Sequence, residues 1–299
     1  MISFHPIELE DRNWIVQLIR EEDSRSADYN FTNIFVWDET YLQRVAEVEG
    51  CLAIRLDYEN APFFTYPVGG GDTGAAVLAL QREAADCGFP FCLRGVTAEH
   101  AEKLTALFPG QFELIPDRFA FDYIYPAEKL ATLSGKKLHG KRNHINRFVE
   151  DHPDWSYEPL TQAGLEVCST FQREWLSASG EGDSEEYSHE DLALRRAMEN
   201  YSALGLEGGI LRVGGTVAGF TIGEKLNSDT YVVHFEKGKS EIQGAYAMLN
   251  REFVRQALAQ HPEVQYINRG DDVGHENLRL AKQSYHPEFL IEKYTALWK

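Results

Sequence analysis

Apolar and polar positions along the chain form one pattern and then repeat it. Near the N-terminus, Ser3-Phe4-His5-Pro6-Ile7 reads as an extended segment. A helix follows from Asp11, a plausible N-cap, with Trp14, Leu18 and Ile19 at helical spacing. At mid-chain, Ser156-Tyr157-Glu158-Pro159-Leu160 is followed by Thr161 as a cap and by Leu165, Cys168, Phe171 and Trp175 on a second such helix. Each opening leads into three strand-like runs: residues 41–49, 51–58 and 61–67 in the first half, and 209–213, 216–224 and 230–236 in the second. The turn signals in the second half are Gly214-Gly215 and Asn227-Ser228-Asp229. Each third strand then runs through a loop into a helix, 75–86 and 245–260. On the latter, Tyr246, Leu249, Phe253, Ala257 and Leu258 form an apolar stripe that predicts a core face. Both halves close with a strand (90–94; 264–268), a short helix (99–108; 276–284) and a last strand (111–125; 288–297).

A shared order of elements in two halves of low identity predicts a duplicated α/β (α+β) fold with mixed, mostly antiparallel sheets. The expected boundaries are residues 1–128 for the first domain, 129–150 for a basic connecting helix and 151–299 for the second domain. At 299 residues the chain exceeds a usual single domain, and 43% hydrophobic residues suffice for two cores. No apolar run approaches the roughly 18 residues of a membrane span, and the N-terminus lacks a basic stretch followed by an apolar block, so a cytoplasmic protein without an integral membrane segment is expected. Cys51, Cys87, Cys92 and Cys168 show no C-x-x-C spacing. They suggest buried thiols and no metal site. The net charge of −18 argues against nucleic acid unless basic residues are concentrated in one place.

They are so concentrated between Lys129 and Val149, where six Lys/Arg stand with no Asp or Glu. If that stretch is helical, Lys137, Lys141 and His144 share one face, with Arg142 beside them. The stripe suits either phosphate binding or a solvated linker helix.

The element order resembles the GCN5-related N-acetyltransferase fold. In that family a Gln/Arg-x-x-Gly-x-Gly/Ala loop after the fourth strand cradles the coenzyme A pyrophosphate on backbone N–H groups. By resemblance the loop here spans Gly238, Gln243 and Gly244, as Glu241-x-x-Gly244-x-Tyr246. It departs from the pattern by an anion at its start and a bulky ring at its end. The first half offers Gly71-x-x-Gly74-x-Ala76, nearer the pattern, though a glycine-rich turn before a helix is common. The same resemblance places a base at the fourth strand, Glu236, and an acid on the last helix, Tyr285. The bland alternatives are a solvent-facing carboxylate and a core tyrosine. Asp271 and Asp272 follow a strand end, a position suited either to binding an amine or to capping the next helix. The acidic run Glu181, Asp183, Glu185, Glu186, Glu190 and Asp191 suits a lid over a cationic acceptor or a solvated loop.

A longer composite pattern covers nearly the whole chain. Its first part is Tyr125-Pro126-Ala127-Glu128-Lys129-Leu130, Leu133, Gly135, Lys136-Lys137, Gly140-Lys141-Arg142-Asn143, Ile145-Asn146 and Phe148. Its second is Ile267-Asn268, Asp272-Val273-Gly274, Leu278-Arg279, Lys282, Ser284-Tyr285, Pro287 and Tyr294. It resembles the C-terminal domain of phosphatidylglycerol lysyltransferase and its stand-alone bacterial relatives. That resemblance implies two tandem acetyltransferase-like domains, similar to the Fem aminoacyltransferases.

The expected function is therefore transfer of an acyl or aminoacyl group from a phosphate-bearing carrier to an amine or hydroxyl of a small or headgroup-like acceptor. Acyl-coenzyme A or aminoacyl-tRNA is the expected co-substrate, tRNA being disfavoured by net charge, and no tightly bound cofactor is expected. The competing expectation is a non-catalytic ligand sensor built on a degenerate pair. Two homologous halves can bury against each other the surface that single domains bury by dimerising, so a monomer is expected.

Overall fold

The computed structural model describes residues 1–57, 62–179 and 185–299. The chain divides into two compact units, one comprising Met1–Asp122, Asp271–His275 and Leu290–Lys299, the other Tyr123–Gly270 and Glu276–Phe289. These boundaries differ from those expected at residues 128 and 150, because both units take in segments distant in sequence.

In the first unit the elements are β1 (His5–Pro6), α1 (Arg12–Glu22), α2 (Phe31–Val36), α3 (Asp38–Tyr41), β2 (Gln43–Val48), β3 (Cys51–Leu56), β4 (Phe63–Thr65), α4 (Thr73–Cys87), β5 (Cys92–Thr97), α5 (Ala98–Leu107) and β6 (Phe112–Pro116). The second unit comprises β7 (Asp122–Pro126) from Tyr123 onward, α6 (Ala127–Thr132), α7 (His139–Asp151), β8 (Ser156–Pro159), α8 (Leu165–Ser179), α9 (Glu185–Glu199), α10 (Tyr201–Leu204), β9 (Glu207–Val213), β10 (Thr216–Lys225), β11 (Thr230–Gly238), α11 (Ala245–Gln260), β12 (Tyr266–Asn268) and α12 (Glu276–Gln283); β13 (Phe289–Ile291) joins the sheet of β7, although its Leu290 and Ile291 fall within the first unit. The last strand, β14 (Lys293–Trp298), belongs to the first unit.

The two sheets have the orders β1-β2-β3-β4-β5-β14-β6 and β8-β9-β10-β11-β12-β7-β13, so they correspond position by position. In each, one internal pair is parallel, β4 with β5 and β11 with β12, while β1–β2, β2–β3, β8–β9, β9–β10 and β10–β11 are antiparallel.

The sixth position of each sheet is where the sequence reading needs correction. The run 111–125, expected as one strand, is β6 and β7 separated by a 3-10 turn at Arg118–Ala120, and 288–297 is likewise β13 and β14. The β7 strand pairs with β12 of the second unit, and β14 pairs with β5 and β6 of the first. Each half of the chain thus supplies one central strand to the sheet built mainly by the other. A chain reversal of this kind leaves no trace in hydrophobic periodicity, which reports burial but not the partner.

Helix starts follow their caps: Asn30, Asp72 and Thr97 each accept an N–H from the first turn of α2, α4 and α5. In α11, Met248, Leu249, Phe253, Val254 and Ala257 are buried. Each fully buried Leu or Phe there contributes about 1.5–3 kcal/mol. Tyr246 departs from the expected stripe, being 37% exposed. Of the cysteines, Cys51 and Cys168 are buried, Cys92 is half-buried and Cys87 is exposed, which corrects the expectation for the last. No described helix is long and apolar enough to cross a membrane.

The first unit contains a buried polar cluster. His100 Nε2 lies 2.9 Å from Glu22 Oε1 and its Nδ1 3.2 Å from the Tyr29 hydroxyl, while Tyr66 stacks on the imidazole at 4.1 Å. The hydrogen bond with His100 holds the Glu22 carboxyl at about 2; burial opposes this and Lys103 reinforces it. A carboxyl so depressed adds stability above the ordinary carboxylate range, and that stability is lost as pH falls toward about 2. Glu22→Gln is accordingly expected to cost about 1–2 kcal/mol at neutral pH, solvent around the exposed Lys103 screening the site, and to flatten the acid limb of the stability curve. Urea titrations between neutrality and strong acid check this, and an unchanged acid limb in the variant refutes it.

Candidate functional site

In the second unit β11 and β12 pair only over Thr230–Val232 against Tyr266–Asn268. Beyond that point β11 continues to Gly238 with β10 as its registered partner, past an irregularity at Ile222/Gly223. The two parallel strands therefore part at their C-terminal ends, where ligands collect in sheets of this type.

Six side chains from six segments meet at this parting. Glu236, on the portion of β11 that pairs with β10 but not with β12, accepts from Arg269 Nη2 at 2.8 Å and from Asn250 Nδ2 of α11 at 3.2 Å. Arg269 immediately follows β12, so its ion pair with Glu236 bridges the two strands. Tyr285, just after α12, is buried, with Tyr125 of β7 edge-on at 6.5 Å. Two cations approach its ring: Lys141 Nζ of α7 at 4.0 Å and Arg269 Cζ at 4.9 Å from the centroid. Burial pushes the Tyr285 hydroxyl up to about 12, Arg269 opposing, so at neutral pH it is a proton donor. Burial, with the Arg269 charge, lowers the Lys141 ammonium below its ordinary value.

Among the described residues, three buried polar atoms around Glu236 have no hydrogen-bond partner: Arg269 Nη1, Asn250 Oδ1 and Thr221 Oγ1. Thr221 is directly opposite Glu236 across the β10–β11 ladder, so the two side chains share a face of the sheet. Unsatisfied buried groups are rare in folded proteins and cost about 1–3 kcal/mol each unless a water or ligand group meets them.

The other expected binding residues are placed differently. The α7 helix begins at His139, so Lys137 lies in the preceding turn, exposed, and does not continue a face with Lys141. Arg142 Nη1 is spent on the carbonyls of Leu133 and Gly135, fastening the loop between α6 and α7. Gly238 ends β11, its carbonyl accepting from Trp175 Nε1 at 3.1 Å and its Cα covered by the Tyr246 ring. Gln243 is exposed in the loop before α11. Gly244 has φ 89°, and a Cβ there would stand 2.5 Å from the His144 carbonyl and 3.0 Å from Phe148 Cβ. Its open side thus admits the backbone of α7. Gly244→Ala is expected to lower stability by about 2 kcal/mol or more through that collision and the left-handed φ. Thermal unfolding of the variant checks it, and an unchanged midpoint refutes the close packing.

In the first unit, Gly71 is pressed on the β2–β3 turn, where a Cβ would collide with the Glu49 carbonyl. Around Gly74, Asp72 N–H donates to Glu49 O and Ala75 N–H to Asp72 Oδ1, so N–H groups a phosphate would need are engaged internally. Asp272 also belongs to the first unit and not with Glu236 and Tyr285. It is fully buried, its carboxylate 3.1 Å from Arg118 Nη1 and accepting the Gly274 N–H. Of the acidic run, Glu181 and Asp183 lie outside the described residues, as do the side chains of Glu185 and Glu186. Glu190 pairs at 2.6 Å with buried Lys237, which lies over Trp175, and Asp191 pairs with Arg195.

Arg269, Asn250 and Thr221 were not singled out from the sequence. Arg269 carried a usable signal, a basic residue directly after a strand end in a strongly acidic chain. Asn250 and Thr221 carried none, since one lies within an apolar helix stripe and the other within a β-rich run.

Residues 20–297 match the family model described as phosphatidylglycerol lysyltransferase, C-terminal. An uncharacterised protein of Mycoplasmoides gallisepticum is 27% identical over 183 residues, covering 58% of this chain; the chain matches about half, 54%, of that relative's length. A conserved protein of unknown function from Bacteroides thetaiotaomicron superposes with a TM-score of 0.95 at 38% identity, over 100% of both chains. The structure of L-PGS from Bacillus licheniformis gives 0.67 at 13% identity, over 100% of this chain and 94% of that one. A tandem GNAT protein from the clavulanic acid biosynthesis pathway gives 0.52 at 11% identity, over 99% and 98%. At those identities the last two report the fold alone, a tandem acetyltransferase-like arrangement of two mostly antiparallel sheets.

Proposed function

The chain belongs to the phosphatidylglycerol lysyltransferase C-terminal family, whose fold is transferase-like, and from that premise we propose that it transfers an acyl or aminoacyl group from a phosphate-bearing carrier to an amine or hydroxyl acceptor. The observation that carries this reading is the meeting of Glu236, Tyr285, Lys141 and Arg269 where β11 and β12 part. Acyl transfer needs a group to take the proton of the attacking amine or hydroxyl and another to protonate the departing thiolate or ribose oxygen. Glu236, held by Arg269 and Asn250, is the acceptor of the first proton, and Tyr285, protonated at neutral pH, is the donor of the second. Lys141 and Arg269, both on the Tyr285 ring, make the site electropositive, which suits a phosphate-bearing carrier.

Incubation with acyl-coenzyme A species and with aminoacyl-tRNA, monitored by calorimetric binding and by release of the free carrier, tests the proposal. Saturable binding and turnover of either donor support it, and binding of neither rejects it. The second reading, a non-catalytic sensor, is favoured by Glu241 and Tyr246 in the loop and by the filled side of Gly244. Binding without turnover is its signature.

A further inference from the structure

Two positively charged groups stand on the Tyr285 ring, and among the described residues one carboxylate, Glu236, is paired there, with Arg269. Glu236 takes one arm of the Arg269 guanidinium, while the other, Nη1, is buried with no hydrogen-bond partner. Among the described residues, the half-buried Lys141 ammonium approaches the face of the Tyr285 ring, at 4.0 Å, and makes no ion pair or hydrogen bond. The carboxylate of Glu236 thus stands against two cations. A guanidinium and an ammonium withdrawn from water are costly unless their protons are met, and the chemistry that meets both is an oxyanion. Water would satisfy the hydrogen bonds but leave the excess charge.

We propose that Arg269 Nη1 and Lys141 Nζ form an oxyanion subsite on Tyr285, which takes a phosphate or carboxylate group of the ligand. This rests on the reading of Glu236 and Tyr285 as the reaction centre, and it adds that one substrate presents an anionic group within a few bonds of the reacting atom. The guanidinium would be shared, one arm orienting Glu236 and the other holding the anion, so that docking of the anion and positioning of the proton acceptor are coupled through a single side chain. The Asn250 Oδ1 and Thr221 Oγ1 atoms, also unpartnered, lie on the Glu236 side and would face the remainder of the bound group.

Titration calorimetry of the intact chain with inorganic phosphate and, separately, with acetate needs no turnover, so its outcome is independent of whether a donor is ever identified. Saturable binding of at least one anion is expected, weakened about tenfold or more by Lys141→Met and by Arg269→Lys, which keeps the charge but loses the second N–H arm. Circular dichroism of each variant separates lost binding from lost folding. Should Arg269→Lys fail to fold, the exposed-side variant Lys141→Met decides alone. Preference for phosphate over acetate identifies the group as a phosphate ester, and the reverse identifies a carboxylate. Absence of saturable binding by either anion, or wild-type affinity in folded Lys141→Met, overturns the subsite. If the subsite fails while a donor is turned over, the proposed function stands. If the anions bind at these residues and no donor is turned over, the sensor reading gains.

Discussion

Replacing Glu236 with glutamine is expected to lower kcat of the transfer reaction by about 10²–10³-fold with a much smaller change in KM, because glutamine keeps the shape and loses the proton acceptor. The fold should tolerate it poorly but survive, since the variant amide oxygen can still accept from Arg269, 2.8 Å away in the parent. The companion Tyr285→Phe separates the two donor classes. A thiol is acidic enough to leave as the thiolate, whereas a ribose hydroxyl is a far poorer leaving group and depends on protonation. Loss of the Tyr285 hydroxyl is therefore expected to cost ~10²-fold or more with an aminoacyl ester and only a few-fold with a thioester. Single-turnover rates with each donor check both variants, and wild-type kcat in the two together removes Glu236 and Tyr285 from the mechanism.

The second large effect is on stability and concerns the exchanged strand β14. Lys293 is 1% exposed, with its ammonium 3.0 Å from Asp122 Oδ1 and 2.9 Å from Asp28 Oδ2. These carboxylates raise the ammonium far above its ordinary value against the opposing effect of burial. Asp122 opens β7, the strand that leaves for the other sheet, so this ion pair ties the incoming strand to the root of the outgoing one. Lys293→Met strands the Asp122 carboxylate in the interior and is expected to cost ~3–5 kcal/mol.

The variant should also invert the local pH response. A buried carboxylate without its cation has a raised folded-state value, so its destabilisation grows as pH rises through that value and shrinks in acid. Lys293→Met combined with Asp122→Asn should recover part of the loss, because no uncompensated charge then remains at Asp122. Denaturant midpoints for the single and double variants across pH measure this. A single variant as stable as the parent would show that the buried ion pair contributes nothing to the placement of β14.

Much of the molecule was legible before any coordinates. The strands β2, β3, β9, β10 and β11, the helices α4 and α11 and the start of α8 lie close to where alternation, turn residues and helical spacing put them. These signals are local, set by which face of a segment is buried, and neighbouring residues encode them directly. Glu236 and Tyr285, reached through the family resemblance, are brought to one place.

What failed was in part a local helix boundary and in part long-range. Lys137 and Arg142 were grouped with Lys141 on an assumed continuous helix, but the helix begins at His139 and Arg142 turns back to carbonyls nine and seven residues away. Asp272, which its place after a strand end suits to binding an amine or capping a helix, has its carboxylate engaged with Arg118 in the first unit, apart from Glu236 and Tyr285.

By itself, then, the sequence determined the duplicated element order, the concentration of positive charge in an acidic chain and the family, but not the caps, since neither Asp11 nor Thr161 makes a side-chain capping hydrogen bond. The elements and the charge concentration are set by residue identity within short windows, and the family by a composite of such identities along nearly the whole chain. Only the tertiary structure decided the exchange of β7 and β14, the bridging of β11 and β12 by Glu236 and Arg269, and the unpartnered Arg269 Nη1 and Lys141 ammonium. Those features depend on which distant segments become neighbours. A strand's own pattern of apolar residues is the same whichever sheet receives it, and a cation's lack of a partner exists only once every other chain segment has taken its place.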